Sequence, residues 1–281
     1  MAEQRVGLIG WPVEHSISPA MHNAAFAALG LTEWRYDKMA IPPDVVKLSL
    51  RELRQHGYIG VNVTVPHKGA VLPFVQPDEA AKAIGAVNTI DFRDNRGTNT
   101  DVSGFMSDLA AHGVDVAGKQ VIVLGAGGAA RAAVYGLHQA GAQIAIANRT
   151  PDKARFLAQG LGVDAQVIRL ADAAALGAAP LEADLLEADL VVNCTTVGMW
   201  PRVDESPWPA DVAFPRGAVV YDMIYRPART RLMAQAEAAG LQAVGGLGML
   251  ARQGAAAFAL WTGQDAPLEV MFAAAHAALG E

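Results

Sequence analysis

Cysteine is almost missing from this sequence of 281 residues. Cys194 is the one cysteine, which excludes an internal disulfide and favours a reducing compartment, so we expect a cytoplasmic protein. An excess of basic charge is missing too. The 22 basic and 28 acidic residues give a net charge of -6, which excludes an overall electrostatic attraction to nucleic acid or to anionic membranes.

Long apolar runs are also missing. No stretch reaches the roughly 20 residues that span a bilayer, and the start MAEQRVGLIGWPVEHS lacks the basic residues and longer apolar core of an export signal. The sequence contains 52% hydrophobic and 18% charged residues, a composition that is typical of a globular protein. Its length allows two domains. We therefore expect neither a nucleic acid nor a membrane as a partner.

Strands and helices alternate in the N-terminal part of the chain. A first helix has Pro19 at its first position and Gly30 beyond its end. This alternation predicts an α/β fold with a mostly parallel sheet. The hydrophobic patterns predict strands at 6–10, 34–40, 59–65 and 85–90, and further helices at 42–56 and 80–83.

A glycine-rich turn lies near the middle of the chain, in VIVLGAGGAAR at residues 121–131. An apolar strand breaks at the glycines and continues into a helix. Such a turn lets backbone N–H groups approach a pyrophosphate at the positive end of the helix, although any strand-to-helix turn can contain glycine. A second strand at 143–147 completes a βαβ unit, which favours dinucleotide binding.

The end of that second strand indicates which dinucleotide is bound. An acidic residue for the ribose 2′-hydroxyl is absent, and Asn148-Arg149-Thr150 stands there with Lys153 nearby. Two cations suit a 2′-phosphate, so the pattern favours NADP over NAD. A solvated helix start, with Thr150 as N-cap and Pro151 in the first turn, is an alternative that is compatible with this role.

Two serines precede the first helix. Ser16 and Ser18 alternate on an extended segment, so both hydroxyls can face one side beside the helix N-terminus, in outline an anion site. The alternative is that Ser18 only caps the helix while Ser16 is solvated.

Further polar side chains lie at predicted strand ends. Asn62 and Thr64 share one face of the strand at 59–65. Lys68 follows at its carboxyl end, where open α/β sheets hold ligands, although a lone lysine is ordinarily a solvated charge. Asn88 lies on the strand at 85–90. Asp101 precedes the helix VSGFMSDLAAHG and is either its N-cap or a partner of these groups.

The C-terminal part continues the alternation. Cys194, at the end of an apolar strand, is expected to be inert core. LEADL occurs twice in tandem at 181–190, which predicts an extended helix or loop. The remaining predictions are strands at 190–193 and 218–223, a proline-rich loop at 200–215, a helix at 228–239, a glycine cluster at 245–249 that enters a helix through Trp261, and a last helix opened by Pro267.

The sequence resembles the shikimate dehydrogenase family over nearly its whole length. The strings that carry the resemblance, in family order, are HSISPAMHN, NVTVPHK, GAVNT, GTNTD, GAGGAA, NRT, NCTTVGM, YDMIY and GLGMLARQ. The resemblance implies an NADP-dependent oxidoreductase that reversibly reduces 3-dehydroshikimate to shikimate, in chorismate and aromatic amino acid biosynthesis. It also implies two α/β domains with a cleft between them: a substrate domain at 1–102, completed by C-terminal helices at 246–281, and a Rossmann-type NADP domain at 103–245.

The resemblance also implies roles for individual residues. Lys68 and Asp101 match the catalytic pair, which relays the hydroxyl proton. The implied substrate contacts are Ser16 and Ser18 to the carboxylate, and Thr64, Asn88, Tyr225 and Gln253 to the ring hydroxyls, with Asn62 among them. The implied cofactor contacts are Glu79, Gly125, Ala126, Gly127, Gly128, Ala129, Asn148, Arg149, Thr150, Lys153, Thr195, Met223, Gly246 and Met249.

The partners implied are therefore small molecules, the substrate and NADP, with no metal, in a monomer or homodimer. Two alternatives remain open from the sequence. One is a relative that acts on quinate or aminoshikimate, and the other is a non-catalytic, ligand-sensing protein on the same scaffold. Trp11 and Thr196 depart from the family's usual residues, but neither removes a group with an assigned role.

Overall fold

The structure is a computed structural model that describes residues 3–170 and 187–280. The chain divides into two compact units, the first formed by Met1–Gly104 with Leu250–Glu281 and the second by Phe105–Met249. The prediction for the LEADL repeat covers residues 181–190, of which 181–186 lie outside the described residues. No helix among the described residues is long and apolar enough to cross a membrane.

Twelve described strands form two six-stranded sheets. In chain order the first unit has β1 (Gln4–Gly10), β2 (Trp34–Ala40), β3 (Tyr58–Val63), β4 (Gln76–Pro77), β5 (Thr89–Asp91) and β6 (Arg96–Thr98). The second unit has β7 (Gln120–Leu124), β8 (Gln143–Asn148), β9 (Ala165–Arg169), β10 (Leu190–Asn193), β11 (Val219–Asp222) and β12 (Gln242–Gly245).

Nine α-helices are described along the same chain. They are α1 (Ser18–Ala28), α2 (Val46–Gln55), α3 (Glu79–Ile84), α4 (Thr100–Ala111), α5 (Gly128–Gln139), α6 (Pro151–Leu161), α7 (Arg231–Ala238), α8 (Leu247–Thr262) and α9 (Leu268–Leu279).

The sheet of the first unit has the strand order β2-β1-β3-β5-β6-β4. Strand β1 pairs in parallel with β2 and β3, whereas β5 is antiparallel to both β3 and β6. The sheet is therefore mixed, with a parallel part and an antiparallel extension. The register pairs Asn62 of β3 with Thr89 of β5, which brings two buried polar side chains together.

From Leu250 onward, the two C-terminal helices belong to the first unit. Helix α9 packs on α1, and α8 contributes Phe258 and Trp261 to an aromatic cluster in which Phe258 stacks on Phe26 with ring centroids 5.0 Å apart. The indole of Trp261 donates a hydrogen bond to the carbonyl of Ile90 at 3.1 Å. Burial of these large rings supplies much of the apolar stabilisation of the unit.

The sheet of the second unit is entirely parallel and has the order β12-β11-β10-β7-β8-β9. This is the doubly wound, Rossmann-type arrangement, in which the strand order reverses between β7 and β10. Its strands are buried on both faces: Val121 and Val123 enter one apolar cluster, and Ile122 and Leu124 enter another. Such near-continuous apolar strands are typical of parallel sheets.

Helix starts account for most of the differences from the sequence predictions. Ser18 is not an N-cap, because Ile17 holds that position and Ser18 is already helical. The helix predicted at 42–56 divides into a 3₁₀ turn at Pro43–Val45 and α2. The helix predicted from residue 228 begins only at Arg231, because the Thr230 side chain caps it by accepting from the Met233 N–H.

Two strands have other bounds than predicted, and one predicted N-cap is wrong. Strand β3 ends at Val63 rather than residue 65, because the next residues turn and Pro66 lacks an N–H. Asn88 lies just before β5 rather than within a strand at 85–90. The N-cap alternative for Asp101 is wrong, since α4 already includes Asp101 and its N–H donates to Asn99 Oδ1 at 3.1 Å.

We expect Gly60→Ala to destabilise the first unit. A Cβ at this position would overlap both the Ile90 carbonyl oxygen and the Trp261 indole nitrogen, so the hydrogen bond between them would be displaced. Denaturant unfolding should show a loss of about 2–3 kcal/mol in the free energy of unfolding. Gly69→Ala is the matched control, because its Cβ would lie 3.6 Å from the nearest atom. Equal stability of the two variants would contradict this packing.

Candidate active site

Lys68 and Asp101 form an ion pair in the first unit. Lys68 Nζ donates to Asp101 Oδ2 at 2.6 Å, and the two side chains are 26% and 11% exposed. A short, charge-assisted bond in partly shielded surroundings is stronger than a surface pair. The structure thus brings together two residues that are remote in the sequence.

Buried backbone contacts hold the loop that carries Lys68. The Lys68 carbonyl accepts from the Val87 N–H at 2.8 Å. The preceding residue, His67, is fully buried and forms a 2.7 Å hydrogen bond between its Nε2 and the carbonyl of Ile41. Because both neighbours fix the main chain, the lysine side chain leaves the loop from a defined position.

Asn88 holds the other oxygen of the Asp101 carboxylate. Its Nδ2 donates to Asp101 Oδ1 at 2.8 Å, and its Oδ1 accepts from the Thr100 N–H at 2.7 Å. Gln253, on α8, lies at the edge of this group, with Oε1 3.5 Å from Asn88 Nδ2. The predicted site residues Lys68, Asn88, Asp101 and Gln253 therefore form one cluster.

Asn62 is buried behind this cluster. Its Oδ1 accepts from the Tyr36 hydroxyl at 2.7 Å, and its Nδ2 donates to Thr89 Oγ1 at 2.9 Å and to the Asn88 carbonyl at 3.3 Å. The amide is satisfied within the protein. Thr64 follows β3 and is half-buried, with its methyl group beside Gly10.

The two serines lie together at the start of α1. Ser16 Oγ donates to Ser18 Oγ at 3.2 Å and accepts from the Ser18 N–H at 3.3 Å. Ser18 is buried and Ser16 is half-buried. Two adjacent hydroxyls at the positive end of an eleven-residue helix can donate to an anion.

In the second unit, the turn between β7 and α5 is rich in glycine, so side chains do not cover its backbone. Gly125 has a φ of +108°, which disfavours any other residue. A Cβ on Gly127 or Gly128 would meet no atom within 4 Å, so this side of the turn is open. Helix α5 begins at Gly128 without a side-chain cap, so its first N–H groups are available to an anionic ligand. Ala129 follows in the same helical turn.

A cavity of about 870 Å³ adjoins this turn. That volume suits a large organic ligand. Arg149 lines the cavity and forms no hydrogen bond or ion pair with any described side chain. Of the predicted cofactor-binding residues, the cavity brings together Gly125, Ala126, Gly127, Asn148, Arg149 and Thr195.

Lys153 and Thr150 are placed differently. Lys153 lines a smaller cavity of about 350 Å³, together with Arg131 and Phe156, and the two cavities share Ala126. Thr150 is the N-cap of α6, as the alternative interpretation predicted, although its side chain makes no capping hydrogen bond. Its carbonyl accepts from Asn148 Nδ2 at 2.8 Å.

A buried polar pair that the sequence analysis missed positions Thr195. Asn193 Oδ1 accepts from the Thr195 N–H at 2.9 Å and from its hydroxyl at 2.7 Å, while Asn193 Nδ2 donates to Asp222 Oδ1 at 2.9 Å. Burial raises the pKa of Asp222, although hydrogen bonds from Thr230, Ile224 and Asn193 oppose that shift. The available signal was a polar residue at the end of each buried strand.

The remaining predicted residues are spread over both units. Gly246 donates its N–H to the Ile224 carbonyl at 3.0 Å, and any Cβ there would overlap the Met223 backbone. Met249 is buried, and burial raises the pKa of Tyr225. Glu79 belongs to the first unit, whereas the other predicted cofactor contacts belong to the second, and its side chain is exposed in the first turn of α3.

Cys194 is buried, and burial raises the pKa of its thiol, as expected for an unreactive core residue. Within residues 3–170 and 187–280, no group of three or more His, Cys, Asp or Glu side chains could hold a metal ion.

Comparison with family models gives three matches along the chain. Residues 8–90 match the shikimate dehydrogenase substrate binding domain, residues 108–199 match shikimate / quinate 5-dehydrogenase, and residues 246–275 match the shikimate 5'-dehydrogenase C-terminal domain. The three segments contain most of the residues described above.

Whole-length relatives agree with these matches. Shikimate dehydrogenase (NADP(+)) of Moorella thermoacetica is 46% identical over 98% of this chain and 93% of its own length. The enzyme of the same name from Symbiobacterium thermophilum is also 46% identical, over 98% of this chain and 94% of its own length.

A solved structure extends the similarity to three dimensions. The crystal structure of shikimate 5-dehydrogenase from Thermus thermophilus, in complex with NADP(H) and shikimate, is 40% identical and covers 98% of this chain and 100% of that chain, with a TM-score of 0.87. With the family models, the whole-length relatives and the fold in agreement, the chain belongs to the shikimate dehydrogenase family.

Proposed function

We propose that this chain catalyses the reversible NADP-dependent reduction of 3-dehydroshikimate to shikimate, a step toward chorismate and the aromatic amino acids. The observation that carries the proposal is the 2.6 Å Lys68–Asp101 pair, found in a chain of this family. We assign the substrate to the first unit and NADP to the second. The cytoplasmic location and the oligomeric state, monomer or homodimer, stay predictions.

The pair provides the proton transfer that an alcohol oxidation requires. When shikimate is oxidised, its hydroxyl proton must pass to a base as the C–H hydrogen leaves as hydride. Lys68 Nζ and the Asp101 carboxylate 2.6 Å away relay that proton from the hydroxyl. In the reducing direction the Lys68 ammonium returns the proton to the carbonyl oxygen. Bound NADP accepts the hydride, or NADPH donates it.

The second unit suits NADP on its own geometry. The open glycine turn and the uncapped start of α5 offer N–H groups for a pyrophosphate. Arg149 lines the cavity of about 870 Å³ with a guanidinium that is bonded to no described side chain. It would bind a 2′-phosphate bidentately. Asn148 lines the same wall, and Lys153 adds positive charge at the neighbouring cavity.

The substrate contacts follow from donors that the first unit leaves available. Ser16 and Ser18 would donate to the substrate carboxylate at the start of α1. Gln253 lies beside the Lys68–Asp101 pair, where it would bind a ring hydroxyl. Asn88 already donates to Asp101 Oδ1 and Thr100 Oγ1, so its assignment to a ring hydroxyl rests on the family resemblance. Thr64 is assigned to a ring hydroxyl from the family resemblance, and the role of Tyr225, which belongs to the second unit, stays a prediction.

We expect Lys68→Ala to lower kcat far more than it raises the KM for shikimate. Removing the base leaves the hydroxyl proton without an acceptor, so kcat should fall by about 10²–10⁴-fold. Steady-state assays that follow NADPH absorbance measure both constants. Lys82→Ala is the control, because Lys82 is an exposed lysine of α3. Turnover of Lys68→Ala near the parent rate would contradict the proton-transfer role.

We expect Arg149→Ala to penalise NADP selectively. Loss of a charge-assisted contact to the 2′-phosphate should lower kcat/KM for NADP by about 10–100-fold and leave kcat/KM for NAD nearly unchanged. Arg155→Ala is the matched control, since Arg155 pairs with Asp152 at 2.6 Å on α6 and lines neither cavity. Equal losses with both cofactors would contradict this role of Arg149.

A further inference from the structure

A continuous chain of side-chain hydrogen bonds runs through the first unit to the Asp101 carboxylate. The Tyr36 hydroxyl donates to Asn62 Oδ1 at 2.7 Å, and Asn62 Nδ2 donates to Thr89 Oγ1 at 2.9 Å. The Thr89 hydroxyl donates to Asn88 Oδ1 at 3.0 Å, and Asn88 Nδ2 donates to Asp101 Oδ1 at 2.8 Å. We call these five residues the polar chain.

Every donor in the polar chain points toward the carboxylate. Hydrogen bonds aligned in this way polarise one another, so each strengthens the next. All members are buried, with exposed fractions between 0% for Thr89 and 8% for Asp101. Water therefore does not compete for these groups. The Thr100 hydroxyl also contacts the polar chain, 3.0 Å from Asn88 Nδ2 and 3.3 Å from Thr89 Oγ1.

The polar chain begins at Tyr36, whose ring is stacked on a neighbouring ring. Tyr36 stacks on His22, with centroids 4.2 Å apart and planes inclined by 12°. Burial raises the pKa of Tyr36 and lowers the pKa of His22 to about 3. Tyr36 therefore remains a donor, and His22 remains uncharged, at every pH used for an assay.

We propose that Tyr36 is a positioning residue for the dehydrogenase reaction, which orients the Asp101 carboxylate through Asn62, Thr89 and Asn88. This inference rests on the proposed function. Asn88 can donate to Asp101 only while its own oxygen faces Thr89 and the Thr100 N–H. Thr89 can donate to Asn88 because its oxygen accepts from Asn62, and the Tyr36 hydroxyl fixes which way the Asn62 amide faces.

Replacing Tyr36 by phenylalanine removes the first donor and preserves the stacked ring. Asn62 Oδ1 then lies buried without its hydroxyl partner, and the amide is free to turn over. We expect kcat for shikimate oxidation to fall about tenfold and the KM for NADP to stay within about twofold of the parent value. The control is Tyr58→Phe, because Tyr58 is equally a buried tyrosine, hydrogen-bonded to Asp37 at 2.9 Å and Arg5 at 2.6 Å, outside the polar chain. Tyr58→Phe should keep the parent kcat.

A second pair of variants tests the middle of the polar chain and decides the question if Tyr36→Phe does not fold. Thr89→Val has the same shape but no hydroxyl, and it should lower kcat as Tyr36→Phe does. Thr89→Ser restores the hydroxyl and should recover most of the parent kcat. A merely structural role for Thr89 predicts no such recovery, because serine leaves a cavity that valine does not.

The outcomes separate the two proposals. Lack of shikimate turnover in the unmodified chain would contradict the proposed function. Normal turnover in that chain, together with unchanged kcat in Tyr36→Phe or with equal kcat in the two Thr89 variants, would contradict only the positioning role of Tyr36.

Discussion

The Asp101 carboxylate accepts a hydrogen bond on each of its two oxygens, from Lys68 on one side and Asn88 on the other. A charge that is only 11% exposed needs both partners, since an unpaired carboxylate there would be strongly destabilising. The fold meets this requirement by bringing the loop after β3, the residue before β5 and the first turn of α4 to one place. The proposed proton transfer depends on that arrangement.

The second unit presents backbone that is free of side chains to a large anionic ligand. Its strand order reverses between β7 and β10, and open α/β sheets hold ligands at such a reversal. Glycines keep the turn after β7 free of side chains. Asp222 accepts a hydrogen bond from the buried Asn193 side chain, and Asn193 in turn accepts one from the Thr195 N–H. These bonds fix Thr195, which lines the cavity beside the turn.

The sequence was most informative where a pattern is local. The alternation of strands and helices, the glycine turn and the Asn148-Arg149-Thr150 segment could all be predicted, because each depends on residues close together in the chain. The first residue of a helix was harder to predict. Whether Ser18 or Ile17 is the N-cap of α1 depends on the hydrogen bond from the Ser18 N–H to Ser16 Oγ. The roles of Tyr36 and Thr89 could not be predicted, because they arise from pairing between strands, above all the antiparallel register that sets Asn62 opposite Thr89.

The most direct test of this account is the rate of NADPH formation, followed by absorbance, when the purified protein is mixed with shikimate and NADP, and again with NAD or quinate in their place. The account predicts a rate that strongly favours shikimate with NADP. A preference for quinate or NAD would contradict the assignment of the hydroxyl-binding residues or of Arg149. Binding of both ligands without turnover would contradict catalysis by Lys68 and Asp101 and would indicate a ligand-sensing protein.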